Sequence, residues 1–171
     1  MQNLADFNTR HIREFSNLPS VEQQMVQLFF AGRHGFYVDV GANDRVLDSQ
    51  SQHLEALGWT GLLIEPDPDC CDLLKKNRSG VVVQMACSGP ENAGKQLRLH
   101  RAGPHSTLES KPIALGAVVR STVAVQCNTL NAILEKRNAL AGFELLSMDI
   151  KGHESTALSG FSFDKGQPQL C

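Results

Sequence analysis

The sequence lacks the features of membrane, secreted and nucleic-acid-binding proteins. Its apolar runs fall short of the roughly 18 residues that span a bilayer. Residues 1–10 are polar where a signal peptide would carry an apolar core. The net charge is −2, and the longest positive cluster, residues 75–78, is interpreted as a solvated helix end. We therefore expect a cytoplasmic protein with neither a nucleic-acid nor a membrane partner.

Motifs of several site types are missing too. The five cysteines include the adjacent pair Cys70 and Cys71 and show no C-x-x-C spacing, which argues against a disulfide framework and a zinc knuckle. The chain has no G-x-S-x-G elbow, which argues against covalent acyl transfer. With 171 residues, of which 42% are apolar, it is large enough for one compact domain.

The sequence does have a regular alternation of strand and helix patterns. Its apolar runs are typical of strands buried on both faces of a parallel sheet, and the alternation predicts right-handed crossovers between them. Strands are predicted over 35–41, 61–66, 80–86 and 143–150, and helices over 49–57, 69–77, 128–138 and 153–159. The helix at 69–77 is predicted to start with an Asp cap.

The remaining segments are less regular. A capping-box pattern at Ser20 predicts a helix that stops at Gly32, so residues 1–34 form a helical lead-in to a domain over 35–171. Two alternating segments, 95–101 and 118–127, are expected to pair as a flap or sheet edge around a loop at 102–116. Residues 167–171 resemble the opening of a fifth parallel strand, so we expect a sheet truncated at its C-terminal strands.

Acidic residues close three of the predicted parallel strands: Asp39, Glu65 and Asp149. Ligands of open parallel sheets bind at the carboxyl ends of the strands. Gly41 permits a tight turn there, and Glu65 lies 24 residues beyond it, near the separation of roughly 20 at which an acid meets ribose hydroxyls. With no G-x-G-x-x-G, the loop has little space for a pyrophosphate. It favours a phosphate-free nucleoside, of which S-adenosylmethionine is the commonest.

An ordered set of motifs strengthens this interpretation. The segments are residues 36–43, 58–66, 129–131, 146–149 with Gly152 and Glu154, and 158–161. Together they resemble the FkbM family of methyltransferases. The resemblance implies an α/β, Rossmann-like fold with S-adenosylmethionine as methyl donor. It also implies a hydroxyl acceptor on a sugar or small natural product.

Carried over by position, the resemblance also implies roles for individual residues. Those expected to bind the donor are Asp39, Gly41, Ala42 and Asn43 at its amino-acid end, Glu65 at the ribose, and Asp67, Ala86 and Cys87 at the adenine. His105 and Ser106 fall in the segment that faces the substrate.

Candidates for a general base are Asp149, His153, Glu154 and His105, with Asp149 preferred because it ends a buried strand. Histidine titrates near neutrality, which favours His153. No metal is expected, although Asp149 with Glu154 leaves a divalent cation open.

The chain departs from the family pattern at two positions. Arg45 stands where the family has glycine, and Lys151 where it has glutamate. These changes keep open a catalytically silent binding module. An NAD-type oxidoreductase on the same fold is a second alternative, which the missing glycines disfavour. The methyl acceptor and the oligomeric state are not set by the sequence.

Overall fold

A computed structural model describes residues 21–44, 49–109 and 117–171. The chain divides into two compact units between Arg33 and His34. In the first unit, helix α1 spans Val21–Phe30 and ends where Gly32 adopts a φ of +78°, which confirms the predicted helix and its stop. Ser20, the predicted cap, and Arg45 lie outside the described residues. The division into a lead-in over 1–34 and a domain over 35–171 stays a prediction.

The second unit alternates strands and helices along the chain. In its described residues the strands are β1 (Phe36–Val40), β2 (Thr60–Glu65), β3 (Val81–Gln84), β4 (Ala86–Cys87), β5 (Gln96–Arg101), β6 (Ser121–Asn128) and β7 (Leu145–Met148). The helices are α2 (Gln52–Ala56), α3 (Pro68–Asn77), α4 (Leu130–Lys136) and α5 (Glu154–Leu158), with a 3-10 turn at Pro90–Asn92.

A four-stranded parallel sheet forms the centre of this unit, in the order β3-β2-β1-β7. Val38 of β1 lies opposite Leu62 of β2 on one side and Leu146 of β7 on the other, and all three are buried in the main core. The chain runs outward from β1 to β3 and then returns to β7 on the other flank of β1. The order therefore reverses between β1 and β7, where open parallel sheets bind ligands, and the predicted Rossmann-like α/β class is confirmed.

The predicted strand over 80–86 is wrong as a single element, because it breaks at Met85. Val81–Gln84 belongs to the central sheet, whereas Ala86–Cys87 pairs in parallel with β6 in a second sheet of order β4-β6-β5. Apolar residues lie on both sides of the single polar residue Gln84, so periodicity alone does not reveal the break. The antiparallel pairing of β5 with β6 confirms the predicted pairing of the two alternating segments.

Helix α3 begins earlier than the sequence pattern suggested. Its N-cap is Asp67, whose carboxylate accepts the Asp69 N–H at 2.9 Å, and Pro68 occupies the first helical position, where a missing N–H has no cost. Asp69, the predicted cap, therefore lies in the first turn. Pro66 and Asp67 therefore form the short connection between the end of β2 and the start of α3.

At the end of the chain, the predicted fifth strand is a single parallel bridge between Leu145 and Leu170. The Leu146 N–H donates to the Leu170 carbonyl at 3.0 Å, so the segment lies beside β7 on the flank away from β1. No helix among the residues that the structure describes is long and apolar enough to cross a membrane.

Candidate functional site

A cleft opens at the carboxyl ends of the central strands and is made of two cavities with shared walls. The larger encloses about 590 Å³, including space open to solvent. Both cavities are lined by Gly41, Asn43, Pro104, Asp149 and Lys151. The cleft thus lies where the strand order reverses, as expected for a parallel sheet.

The structure brings most of the predicted site residues to this cleft. The larger cavity is lined by Gly41, Asn43, Glu65, Asp67, Ala86, Cys87, Ser106 and Asp149. The smaller is lined by Asp39, Ala42 and, again, Gly41, Asn43 and Asp149. Three predicted residues line neither cavity: His105, His153 and Glu154.

Glu65, at the end of β2, is fixed by the backbone of the loops on either side of it. One carboxylate oxygen accepts the Asn43 N–H at 2.8 Å, and the other accepts the Asp67 N–H at 2.8 Å. The residue is only 6% exposed, and this burial raises the pKa of Glu65 to about 7. A carboxylate has about four acceptor positions, so each oxygen retains one that can accept a ligand hydroxyl.

Gly41 brings the end of β1 against the end of β7. Its φ is +86°, and a Cβ at this position would lie 2.3 Å from the backbone oxygen of Asp149. Both the backbone conformation and the close approach therefore require glycine. This approach holds the turn after β1 against the end of β7.

Asp39 is a buried carboxylate beneath the smaller cavity. It is 4% exposed, and burial raises its pKa. Its carboxylate accepts a hydrogen bond of 2.5 Å from the Ser51 hydroxyl, whose oxygen in turn accepts from Arg78 at 2.9 Å. The acid closing β1 is thus connected through one hydroxyl to a buried guanidinium.

Arg78 corrects the interpretation of residues 75–78 as a solvated helix end. Its side chain is only 1% exposed and pairs with Glu55 at 3.0 Å. The guanidinium also donates to Ser49 Oγ at 3.0 Å and to Tyr37 OH at 3.3 Å, while Tyr37 OH donates to Glu55. Its partners lie far away along the chain, and the local charge pattern gives no sign of them.

The carboxylate of Asp67, in the cleft wall beside Glu65, is already paired with other groups of the protein. Besides capping α3, it accepts from Arg101 Nη2 at 2.5 Å, and this hydrogen bond raises the pKa of Arg101. Arg101 also reaches Asp69 at 3.1 Å. Asp67 therefore joins α3 to the second sheet and shapes the cleft wall there.

Of the predicted general bases, Asp149 lines the cleft, where its carboxylate accepts from the Lys151 ammonium, and the others line neither cavity. His153 is buried, with Nε2 2.9 Å from Ser88 Oγ and Nδ1 2.8 Å from a Glu109 oxygen. Glu154 uses its carboxylate to accept backbone N–H groups of the turn after Asp149. His105 is exposed. In the described ranges, no group of three or more His, Cys, Asp and Glu side chains is placed to hold a metal ion.

The apolar wall of the cleft was not predicted from the sequence. Met85, Leu99 and Leu108 line the larger cavity beside Ala86 and Cys87. The alternation over 95–101 placed Leu99 on the inner face of its strand, which was the available signal. Leu108 belongs to the same irregular segment as His105 and Ser106, which the resemblance places facing the substrate.

Comparison with known proteins identifies the family. The family model described as the methyltransferase FkbM domain matches residues 39–171. Comparisons with curated proteins and with solved structures each gave no significant match. The matched region contains every element that builds the cleft except the first three residues of β1. The chain therefore belongs to the FkbM methyltransferase family.

Proposed function

We propose that the cleft binds S-adenosylmethionine and that the protein transfers its methyl group to a hydroxyl oxygen of a sugar or small natural product. The observation that carries this proposal is the geometry of Glu65. Its carboxylate is held by two backbone amides and retains two acceptor positions at the edge of a partly apolar cavity. A ribose diol presents two hydroxyl donors to such a group.

The other walls suit the rest of an adenosyl ligand. Ala86, Cys87 and Leu99 give the larger cavity an apolar side that suits a flat base. Gly41 lines both cavities, on the side that the ligand's amino-acid end would occupy. Asp39 lines the smaller cavity there, so its carboxylate lies on the side where an ammonium group would be stabilised.

The charges of the cleft favour this ligand over a dinucleotide. Four carboxylates line the two cavities, those of Asp39, Glu65, Asp67 and Asp149. Asp67 and Asp149 are paired with Arg101 and Lys151, so the negative charge that would repel a pyrophosphate and attract an ammonium comes from the ionised forms of Asp39 and Glu65. The missing glycine fingerprint and these charges argue against an NAD-type oxidoreductase in the same way.

The chain's own contribution to catalysis is to position the reactants and to accept a proton. When bound, S-adenosylmethionine supplies an electrophilic methyl group. Holding the acceptor oxygen in line with that group supplies much of the rate enhancement. Asp149 borders both cavities, and its carboxylate can accept the proton of the acceptor hydroxyl.

Isothermal titration with S-adenosylmethionine, S-adenosylhomocysteine and NAD tests the donor assignment. We expect the first two to bind and NAD not to bind. Glu65→Ala should weaken both adenosyl ligands at least about tenfold, since it removes two hydrogen bonds to a charged group. The matched control is Glu144→Ala, because Glu144 also accepts a backbone N–H, that of Phe36 at 2.6 Å, but at the opposite edge of the sheet.

Binding of NAD alone would instead support the oxidoreductase, and binding of none of the three would point to a silent module. Once donor binding is established, incubation with methyl-labelled donor and a panel of saccharides and small alcohols tests the acceptor class. Label recovered as a methyl ether is the expected result. Transfer to nitrogen or carbon acceptors would contradict the assignment of oxygen.

A further inference from the structure

Lys151 is the one cationic side chain among the described residues that line the two cavities. Its ammonium lies 2.5 Å and 2.6 Å from the two carboxylate oxygens of Asp149. Both side chains remain accessible, Lys151 at 33% and Asp149 at 52%. The Lys151 ammonium is therefore already paired with the Asp149 carboxylate, which borders both cavities.

The turn that carries Lys151 is held in an unusual conformation. Lys151 has a φ of +52°, which is uncommon for a residue with a side chain. Glu154 accepts the Ile150 N–H at 2.9 Å and the Gly152 N–H at 2.8 Å, one on each side of Lys151. These two hydrogen bonds fix the backbone on both flanks of the lysine.

A further contact fixes the lysine backbone from the opposite wall. The Thr107 hydroxyl donates to the Lys151 carbonyl at 3.1 Å, and Thr107 itself is 2% exposed. The backbone of Lys151 is thus held by two elements, while its flexible side chain folds back onto Asp149. Displacing the ammonium group requires rotation of that side chain and no movement of the turn.

We propose that Lys151 is an internal counter-cation that neutralises Asp149 and that a cationic ligand has to displace, so that this lysine sets the preference between methyl donor and demethylated product. The inference rests on the proposed binding of S-adenosylmethionine. The donor carries a sulfonium and its product a neutral thioether, and both share the adenosine and amino-acid ends. Only the donor therefore gains from a free Asp149 carboxylate near the sulfur.

The test compares the two ligands in Lys151→Met, which keeps the length of the side chain and removes its charge. We expect the ratio of the Kd of S-adenosylhomocysteine to that of S-adenosylmethionine to rise about three- to tenfold, a range suited to a half-exposed carboxylate. The gain should shrink as ionic strength is raised. Because the backbone needs the same φ for Lys and Met, the variant should fold as the parent chain does.

Two control variants separate the local charge from general effects. Lys75→Met removes a lysine from another ion pair, with Asp72 at 3.0 Å, that lies on the exposed face of α3, and it should leave the ratio unchanged. Lys151→Arg keeps the positive charge and should leave the ratio within about twofold of the parent value.

A second substitution tests whether the gain acts through the carboxylate. Asp149→Asn leaves the Lys151 ammonium without its counter-charge, so it should lower the ratio in the parent chain, and it should abolish the gain in Lys151→Met. If both ligands bind and Lys151→Met leaves their ratio unchanged or lowers it, the inference is overturned while the proposed function stands. If neither ligand binds any variant, the proposed function fails and the inference fails with it.

Discussion

Ligand affinity should depend on pH through Glu65, because burial raises the pKa of this carboxyl to about 7. The ionised carboxylate can accept two hydroxyl hydrogen bonds, whereas the protonated acid loses one acceptor position. A ligand that donates hydroxyls therefore binds the ionised form better. Affinity should be full above the pKa and should fall as the pH is lowered through it.

The size of the effect follows from the ionised fraction. For a group with a pKa of about 7, roughly one-tenth is ionised at pH 6 and nine-tenths at pH 8, so the apparent Kd should change by up to about tenfold, the value reached when only the ionised form binds. Binding near pH 7 should release about half a proton, because the ligand shifts the group towards its ionised form. The change in Kd and the proton release both arise from the Glu65 carboxyl, whose pKa is raised by burial.

Isothermal titration of S-adenosylhomocysteine between pH 6 and pH 8, repeated in buffers of different ionisation enthalpy, measures both quantities. The comparison variant is Glu65→Gln, which has nearly the same shape and no titration. We expect its affinity to be lower and its pH slope to be nearly flat. A parent chain whose affinity does not change over this range would refute the reasoning, and so would a Glu65→Gln variant that keeps the tenfold slope.

Two further predictions concern stability and are measured by urea unfolding. Gly94→Ala should cost about 1 to 2 kcal/mol for its φ of +75° in open space. Gly41→Ala should cost about 1 to 3 kcal/mol more, because its Cβ would clash with the Asp149 backbone; equal losses would show that the approach is not tight. Arg78→Met should cost about 3 to 5 kcal/mol, since it leaves Glu55 without its buried partner. The exposed neighbour Lys76, changed in the same way, should cost under about 0.5 kcal/mol, and similar losses for both would contradict the buried network.

The central sheet was predictable because its signals are local. Each parallel strand is a short apolar run, and each crossover carries its own helical pattern between two such runs. The ends of parallel strands meet at one edge, so acids at 39, 65 and 149 could be placed together without any knowledge of the side-chain contacts. That geometric rule accounts for the agreement between the predicted donor residues and the cleft.

The contacts that were missed depend on tertiary structure. The break at Met85 separates two short segments that both carry apolar residues, and only their strand partners show that they belong to different sheets. Arg78 follows two lysines and looks solvated, yet its partners come from β1 and α2. His153 had a suitable chemistry for a base, but Ser88 and Glu109 hold both of its ring nitrogens, and neither partner is near it in sequence.

The break at Met85 has a consequence for how the cleft is held together. Gly41, Glu65 and Asp149 belong to the central sheet or its turns, whereas Ala86, Cys87 and Leu99 belong to the second sheet. A ligand spanning the cleft would bridge two hydrogen-bonded layers that the backbone ladder does not join. The binding energy of such a ligand would therefore hold the two sheets together. The antiparallel pair of β5 and β6 would be the part of the molecule that becomes most ordered when the cleft fills.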